Sequence, residues 1–236
     1  RTGDFVEIEL DLSRETAMRP EMIPLEIIFE DPDLIVVNKP SGVLVHPTHR
    51  EKNGTLLNGL SFHFNHNPMS KVIRPGLVHR LDKDTSGLMV VAKNLKSHRI
   101  LGRQFQRKLV EKKYLALVEG IVESDEGIIE APIGRFAEKK LWDVKEGAKP
   151  SMTNFRVAER RTDSTLLELE PVTGRTNQLR IHCGSIGHPI IGDAQRGGRK
   201  FERLCLHAFQ LRFRHPTNQM MMEFSSKLPN EFSPTV

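Results

Sequence analysis

His79-Arg80-Leu81-Asp82-Lys83-Asp84-Thr85-Ser86-Gly87 compresses two carboxylates, two cations, a histidine and two hydroxyls into one short stretch. Leu77-Val78 precede it, and the apolar run Leu88-Met89-Val90-Val91-Ala92 follows. A continuous apolar run of that length, ended by Lys93-Asn94, predicts a buried strand. The charged segment therefore lies at a strand entrance, where its side chains can face a cleft. An ordinary turn would use Asp and Ser to satisfy backbone donors and Gly87 to close the bend, but it does not need this density of charge.

Strands on either side set the fold class. Leu25–Glu30 and Leu34–Lys39 flank the turn Asp31-Pro32-Asp33; Pro40-Ser41-Gly42 breaks the second, and Val43–His46 continues extended. Thr55–Phe64 carries Leu56, Leu57, Leu60 and Phe64 at helical spacing. Lys113–Glu119, Thr153–Glu159, Leu166–Leu169, Leu206–Arg212 and Met220–Phe224 read as strands, and Arg175–Ile186 as a helix ending at Gly187-His188-Pro189. Strands outnumber helices and turns join many of them. The expectation is a mixed α+β domain, with a largely antiparallel central sheet and flanking helices.

The 236 residues are 28% charged and 38% hydrophobic, a composition of globular chains rather than disordered ones. No apolar run approaches the roughly 18 residues of a membrane span, so no membrane partner is expected. Two cysteines, Cys183 and Cys205, make no disulfide framework, and a reducing cytoplasm is the simplest compartment. No Cys-x-x-Cys or His-x-x-x-His pair accompanies the ten histidines, so no metal site is expected.

Net charge is +5 and the sequence pI is near 9.3. Between Leu95 and Lys113, seven Lys or Arg residues face the single acid Glu111. On a helix Lys96, Arg99, Arg103 and Arg107 share one arc, while Leu101, Phe105 and Leu109 lie opposite. A basic face with almost no compensating acid fits a polyanion such as RNA.

Four blocks carry a family resemblance: Val36-Val37-Asn38-Lys39-Pro40-Ser41-Gly42, the charged nonapeptide, Lys112-Lys113-Tyr114-Leu115-Ala116-Leu117-Val118-Glu119-Gly120, and Val172-Thr173-Gly174-Arg175-Thr176-Asn177-Gln178-Leu179-Arg180-Ile181-His182. Leu206-His207-Ala208 through His215-Pro216 adds a closing strand, so the matched blocks run from about Leu25 to Phe232. Together they resemble the RluA-type RNA pseudouridine synthases. That resemblance implies the pseudouridine synthase catalytic fold and a uridine isomerase working without a nucleotide or other cofactor. It places the catalytic carboxylate at Asp82 and a base-stacking, proton-transferring aromatic at Tyr114. It implies that Arg175 pairs with Asp82 and that Arg80 fills the space left by a flipped base. Whether Asp82 attacks C1′, attacks the base or takes the C2′ proton is left open. Lys39 is expected to be structural, and Asp84 to stabilise the loop. Asn177 departs from the family's usual His.

The expected RNA contacts are Arg80, Lys96, Arg99, Arg103, Arg107, Arg180 and the basic loop residues Arg196, Arg199 and Lys200. Gly3–Leu10 resembles the last strand of an S4-type RNA-binding domain. Residues 1–22 are accordingly expected to be the tail of a truncated S4-like module plus linker, and residues 23–236 the catalytic domain. Ribosomal RNA, above all of the large subunit, is favoured as substrate over transfer RNA, and a monomer is expected. The rival readings are a non-catalytic RNA-binding protein on the same fold and a metal-dependent nuclease built on Asp82 and Asp84.

Overall fold

Asp31 accepts the backbone N–H groups of Asp33 and Leu34 at 2.8 and 2.9 Å, closing the turn between β1 (Glu26–Glu30) and β2 (Leu34–Lys39). The computed structural model describes residues 19–66, 72–138 and 141–232. After β2 come α1 (Leu56–Asn65), β3 (Gly76–Leu77), β4 (Ser86–Ala92), α2 (Leu95–Gln106) and β5 (Glu111–Glu119). Next are β6 (Glu126–Glu130), β7 (Ile133–Phe136), β8 (Leu141–Val144), β9 (Met152–Arg160) and β10 (Ser164–Pro171). The chain continues through α3 (Gln178–Ser185), β11 (Leu206–Arg214) and β12 (Met221–Ser225). Residues 1–18, most of the expected S4-like tail, fall outside the described residues.

Among the described residues ten strands form one sheet, in the order β1-β2-β4-β11-β5-β10-β9-β6, with β12 on β11 and β3 on β4. All the pairings are antiparallel except β4 with β11, where His207 lies opposite Ser86 and Ala208 opposite Gly87. The expected mixed α+β class holds. β7 and β8 form a separate two-stranded hairpin.

All seven residues of β4 are buried. Met89 and Val91 pack with Leu56 and Leu60 of α1, while Leu88 and Val90 pack with Leu101 of α2. A strand covered on both faces has no polar side, which is why its sequence is an unbroken apolar run. A third cluster joins β5, β10 and β11 to Leu179 and Cys183 of α3.

Gly87 sits at φ +120°, and a Cβ there would collide with the Ala208 backbone. Glycine is what allows the central parallel strands to meet just behind the charged segment. Lys39 is 0% exposed, and its ammonium donates to the carbonyls of Pro40, Val43 and Lys83 at 2.7, 2.8 and 3.0 Å. The Ser41 hydroxyl donates to the Asp84 carbonyl at 2.7 Å. The motif Asn38–Gly42 thus clamps the two residues that follow Asp82.

Two boundaries differ from the sequence expectation. Helix α2 stops at Gln106 and Lys108 takes φ 58°, so Leu109 leaves the helix and is 61% exposed instead of facing the core. Helix α3 starts at Gln178 rather than Arg175 because Asn177 adopts the left-handed conformation, φ 55° and ψ 23°. Asparagine is among the few non-glycine residues that tolerate it. The Gln178 side chain then accepts from the Arg175 N–H at 3.0 Å and the Thr173 hydroxyl at 2.7 Å, making Thr173-Gly174-Arg175 a fixed loop.

Candidate active site

The turn from Asp82 to Thr85, closed by the Thr85 N–H on the Asp82 carbonyl at 3.2 Å, opens into a cleft of about 590 Å³. Asp82, Arg80, Tyr114, Arg175 and Arg180 all line it. The expected catalytic trio and the flipped-base arginine therefore share one cavity. His79 anchors the near wall. Its ring stacks on Phe105 of α2 at 4.4 Å between centroids, and its Nε2 accepts the Val90 N–H at 3.1 Å. Burial, and after it the Lys112 charge, push His79 down to about 3, so it is a neutral spacer between loop and helix.

Among the described residues no side chain hydrogen-bonds the Asp82 carboxylate. Burial pushes its pKa above the ordinary carboxylate value; Arg180 and then Arg80 pull it back, Asp84 adds to the rise, and Lys39 opposes it. Tyr114 comes from β5 and is raised too, first by burial and second by the Asp82 charge. Its phenol stays protonated at neutral pH. The pair is a carboxylate beside an un-ionised phenol in a cavity that penalises charge. The Thr85 hydroxyl is buried in the same wall without a partner among the described residues.

Arg175 does not pair with Asp82. Its Nε and Nη2 donate to the Pro150 carbonyl at 3.4 and 3.3 Å, at the border between the cleft and a groove beside the β7–β8 hairpin. The left-handed turn at Asn177 separates Arg175 from the helix that carries Arg180. The arginine acting most strongly on Asp82 is Arg180.

The expected RNA contacts divide. Lys96, Arg99, Arg103 and Arg107 are exposed along α2 and its end, and none forms an ion pair among the described residues; Arg80 and Lys200 are exposed as well. Arg180, Arg196 and Arg199 each lie against a carboxylate. Arg180 forks onto Asp193 through two hydrogen bonds of 2.7 Å. The Arg196 side chain is 6% exposed beneath the hairpin, donating to the Trp142 carbonyl at 2.8 Å with Asp193 at 3.9 Å. Arg199 pairs with Asp163 at 2.5 Å and Glu119 at 3.7 Å.

Asp31, Asp33 and His215 bring three possible ligand atoms within 4.8 Å of one another. The protein already fills those atoms. Asp31 accepts two backbone N–H groups and His215 Nε2, while His215 Nδ1 accepts from Thr217 and Asn218. This cluster ties the β1–β2 turn to the end of β11.

The family model described as RNA pseudouridylate synthase matches residues 33–185. Ribosomal large subunit pseudouridine synthase D of Haemophilus influenzae is 40% identical over 98% of this chain and 75% of its own length. An uncharacterised RNA pseudouridine synthase of Bacillus subtilis is 42% identical over 98% of the chain and 78% of its own. The solved human RNA pseudouridylate synthase domain containing 1 superposes with a TM-score of 0.74 at 32% identity, covering 91% of this chain and 86% of that one. The chain belongs to the RNA pseudouridine synthase family. It is an enzyme of that class, and the cleft around Asp82 lies in the part of the chain that the family model matches. No helix among the described residues is long and apolar enough to cross a membrane.

A raised carboxylate pKa has a sign that stability measurements can read. A group whose folded pKa lies above its unfolded value favours the fold below the unfolded pKa and loses that contribution as pH rises through the folded one. Asp82→Asn should therefore raise the melting temperature at pH 7, where the native carboxylate is charged and poorly solvated. The gain should shrink toward zero as pH falls below about 4. Melting curves of both proteins across that range check it, and a variant less stable at pH 7 contradicts it.

Proposed function

We propose that this chain converts uridine to pseudouridine in large-subunit ribosomal RNA, with Asp82 as the reacting carboxylate. The observation that carries the mechanism is the juxtaposition of Asp82 with Tyr114 and Arg180 in one partly desolvated cleft. The reaction breaks C1′–N1, turns the base, joins C1′ to C5, and moves one proton from C5 to leave N1 protonated. No electrons and no external group are exchanged.

Each step asks for something this cleft offers. A carboxylate stripped of water is a stronger nucleophile and base, provided that cations oppose its protonation, as Arg180 and Arg80 do. The Tyr114 ring provides a flat apolar face for a detached uracil, and its protonated hydroxyl provides a donor. A uridine can reach a cavity of this kind only when flipped out of its helix, and in this reading Arg80, an exposed residue lining the cleft, fills the gap. The unpaired cations of α2 would carry the flanking phosphates. This reading has Arg175 guarding the border of the cleft, and not orienting Asp82.

The choice of ribosomal RNA rests on the named activity of the Haemophilus influenzae relative, to which this chain is 40% identical. A cytoplasmic, monomeric enzyme without nucleotide cofactor goes with it. The resemblance of Gly3–Leu10 to the last strand of an S4-type domain supports reading residues 1–22 as the tail of such a module plus linker.

Pseudouridine mapping in ribosomal and transfer RNA from cells with and without the gene tests the substrate. Loss of one or a few pseudouridines in large-subunit RNA, restored by the wild-type gene, is expected. Loss confined to transfer RNA contradicts the ribosomal reading. With purified protein and transcript the modification should proceed in excess chelator without shortening the RNA, whereas chelator-sensitive cleavage would point to a nuclease.

The α2 face makes a separate prediction. Arg103→Glu combined with Arg107→Glu should weaken RNA binding and reduce its salt dependence. Each phosphate no longer neutralised by the protein lowers the slope of log K against log salt by about 0.7–0.9. Binding isotherms between low and moderate salt read both quantities, and an unchanged affinity and slope would mean that RNA runs elsewhere.

A further inference from the structure

Asp193 is the only acid between Ile186 and Lys200, and it lies in a stretch otherwise rich in arginine and lysine. It is 1% exposed. Its backbone is fixed on both sides: its N–H donates to the Ile190 carbonyl at 2.9 Å, and its carbonyl accepts from Arg196 and Gly198 at 3.0 Å each. Its two carboxylate oxygens take the Nη2 and Nε of Arg180 at 2.7 Å apiece. This is the planar two-point geometry that fixes a guanidinium in orientation as well as position.

That fork leaves Nη1 of Arg180 without a hydrogen-bond partner among the described residues, on a side chain lining the cleft with Asp82. Arg196 closes the other end, with its Nη1 at 3.9 Å from Asp193 and its Nη2 on the Trp142 carbonyl of the hairpin. The result is a line of alternating charge, Asp82, Arg180, Asp193, Arg196, running from the cleft into the interior. We propose that Asp193 is a positioning residue for the isomerisation, holding Arg180 in the wall of the cleft that it shares with Asp82.

Burial works against the Arg180 charge, yet Asp193 and, after it, Asp82 and Asp84 outweigh burial and hold its pKa above the ordinary value. Asp82 is faced by Arg180 from α3, Arg80 and Asp84 from its own loop, Lys39 from β2 and Tyr114 from β5. Asp193 is faced by Arg180 and Arg196, with the Cys183 thiol of α3 within its field. Arg180 hydrogen-bonds the Asp193 carboxylate and comes first among the charges acting on Asp82; Arg196, 3.9 Å from Asp193, feels the Asp82 charge as well.

The inference rests on the reading of Asp82 as the reacting group, and the direction of a pH shift separates the two. Removing the Asp193 charge by itself would make Asp82 easier to ionise and lower its pKa. Releasing Arg180 from its fork does the opposite. Asp193→Asn, nearly the same size, should lower kcat at least about tenfold with KM for the RNA changed less than about threefold, and should move the acidic limb of the kcat profile upward in pH. An acidic limb that stays put or moves down overturns the proposal, as does wild-type kcat.

Should the Asn variant fail to fold, Asp193→Glu keeps the buried charge and displaces the carboxylate by one methylene. The same fall in kcat at constant RNA affinity is then expected, and wild-type kcat contradicts the proposal. Asp82→Asn, assayed in parallel, tests the underlying reading. If it stays active, that reading fails; if it is dead while Asp193→Asn keeps the wild-type pH profile, only the positioning role fails.

Discussion

A negative charge held in a cavity that disfavours it is the constraint around which this protein is built. Burial pushes the Asp82 pKa up, and two arginines oppose that, Arg180 ahead of Arg80. Breaking a buried, hydrogen-bonded ion pair such as the Arg180–Asp193 fork by removing one partner costs about 3–5 kcal/mol, comparable to a large part of a domain's whole stability. The network therefore constrains more than the cleft. Arg180 is fixed by Asp193, Asp193 by the 3-10 turn at Ala194–Arg196, and Arg196 by the hairpin carbonyl at Trp142. The separate β7–β8 hairpin is in this way tied, through Arg196 and Asp193, to an arginine that lines the cleft with Asp82.

The sheet supplies the other half of the support. The one parallel pairing, β4 with β11, brings Ser86 beside His207, and a buried chain runs from Arg203 through the Ser86 hydroxyl to His207 and on to Ser226. Burial holds His207 down to about 4, with Arg203 adding to the effect, so this chain is neutral at its centre near pH 7. On the opposite side Lys39 directs all three N–H groups to backbone carbonyls. Burial brings its pKa to about 8, against the pull of Asp84 and Asp82. The loop between these two anchors has little freedom left. That suits a site whose carboxylate must not drift by an ångström.

Much of this is legible in the sequence because the chemistry and the periodicity point the same way. The apolar run Leu88–Ala92 requires burial on both faces, and the charged nonapeptide before it requires a cleft. Motif resemblance assigns Tyr114 and Asp82 to one site, and the fold brings them together. What escapes a reading of the sequence is decided by backbone conformation. Arg175 and Arg180 lie five residues apart in one motif, and either could serve Asp82 as far as residue type goes. The left-handed Asn177 between them turns Arg175 toward Pro150 and sets Arg180 on α3. The same blindness makes Arg196 and Arg199 look like phosphate ligands, since the carboxylates that occupy them, Asp193, Asp163 and Glu119, come from different turns and strands. A lone acid inside a basic loop is the available signal for Asp193. Nothing in the spacing marks the hairpin as a separate sheet.

The single-turnover rate of pseudouridine formation by Asp82→Asn, set against wild type on the same transcript with enzyme in excess, tests the central claim most directly. The amide keeps the shape of the carboxylate and its place in the turn but removes the charge that Arg180 and Arg80 maintain. A loss of at least about a thousandfold, with RNA affinity unchanged within about threefold, is the predicted result; it corresponds to roughly 4 kcal/mol of barrier. A rate within about tenfold of wild type, roughly 1.4 kcal/mol, would show that the chemistry does not run through Asp82.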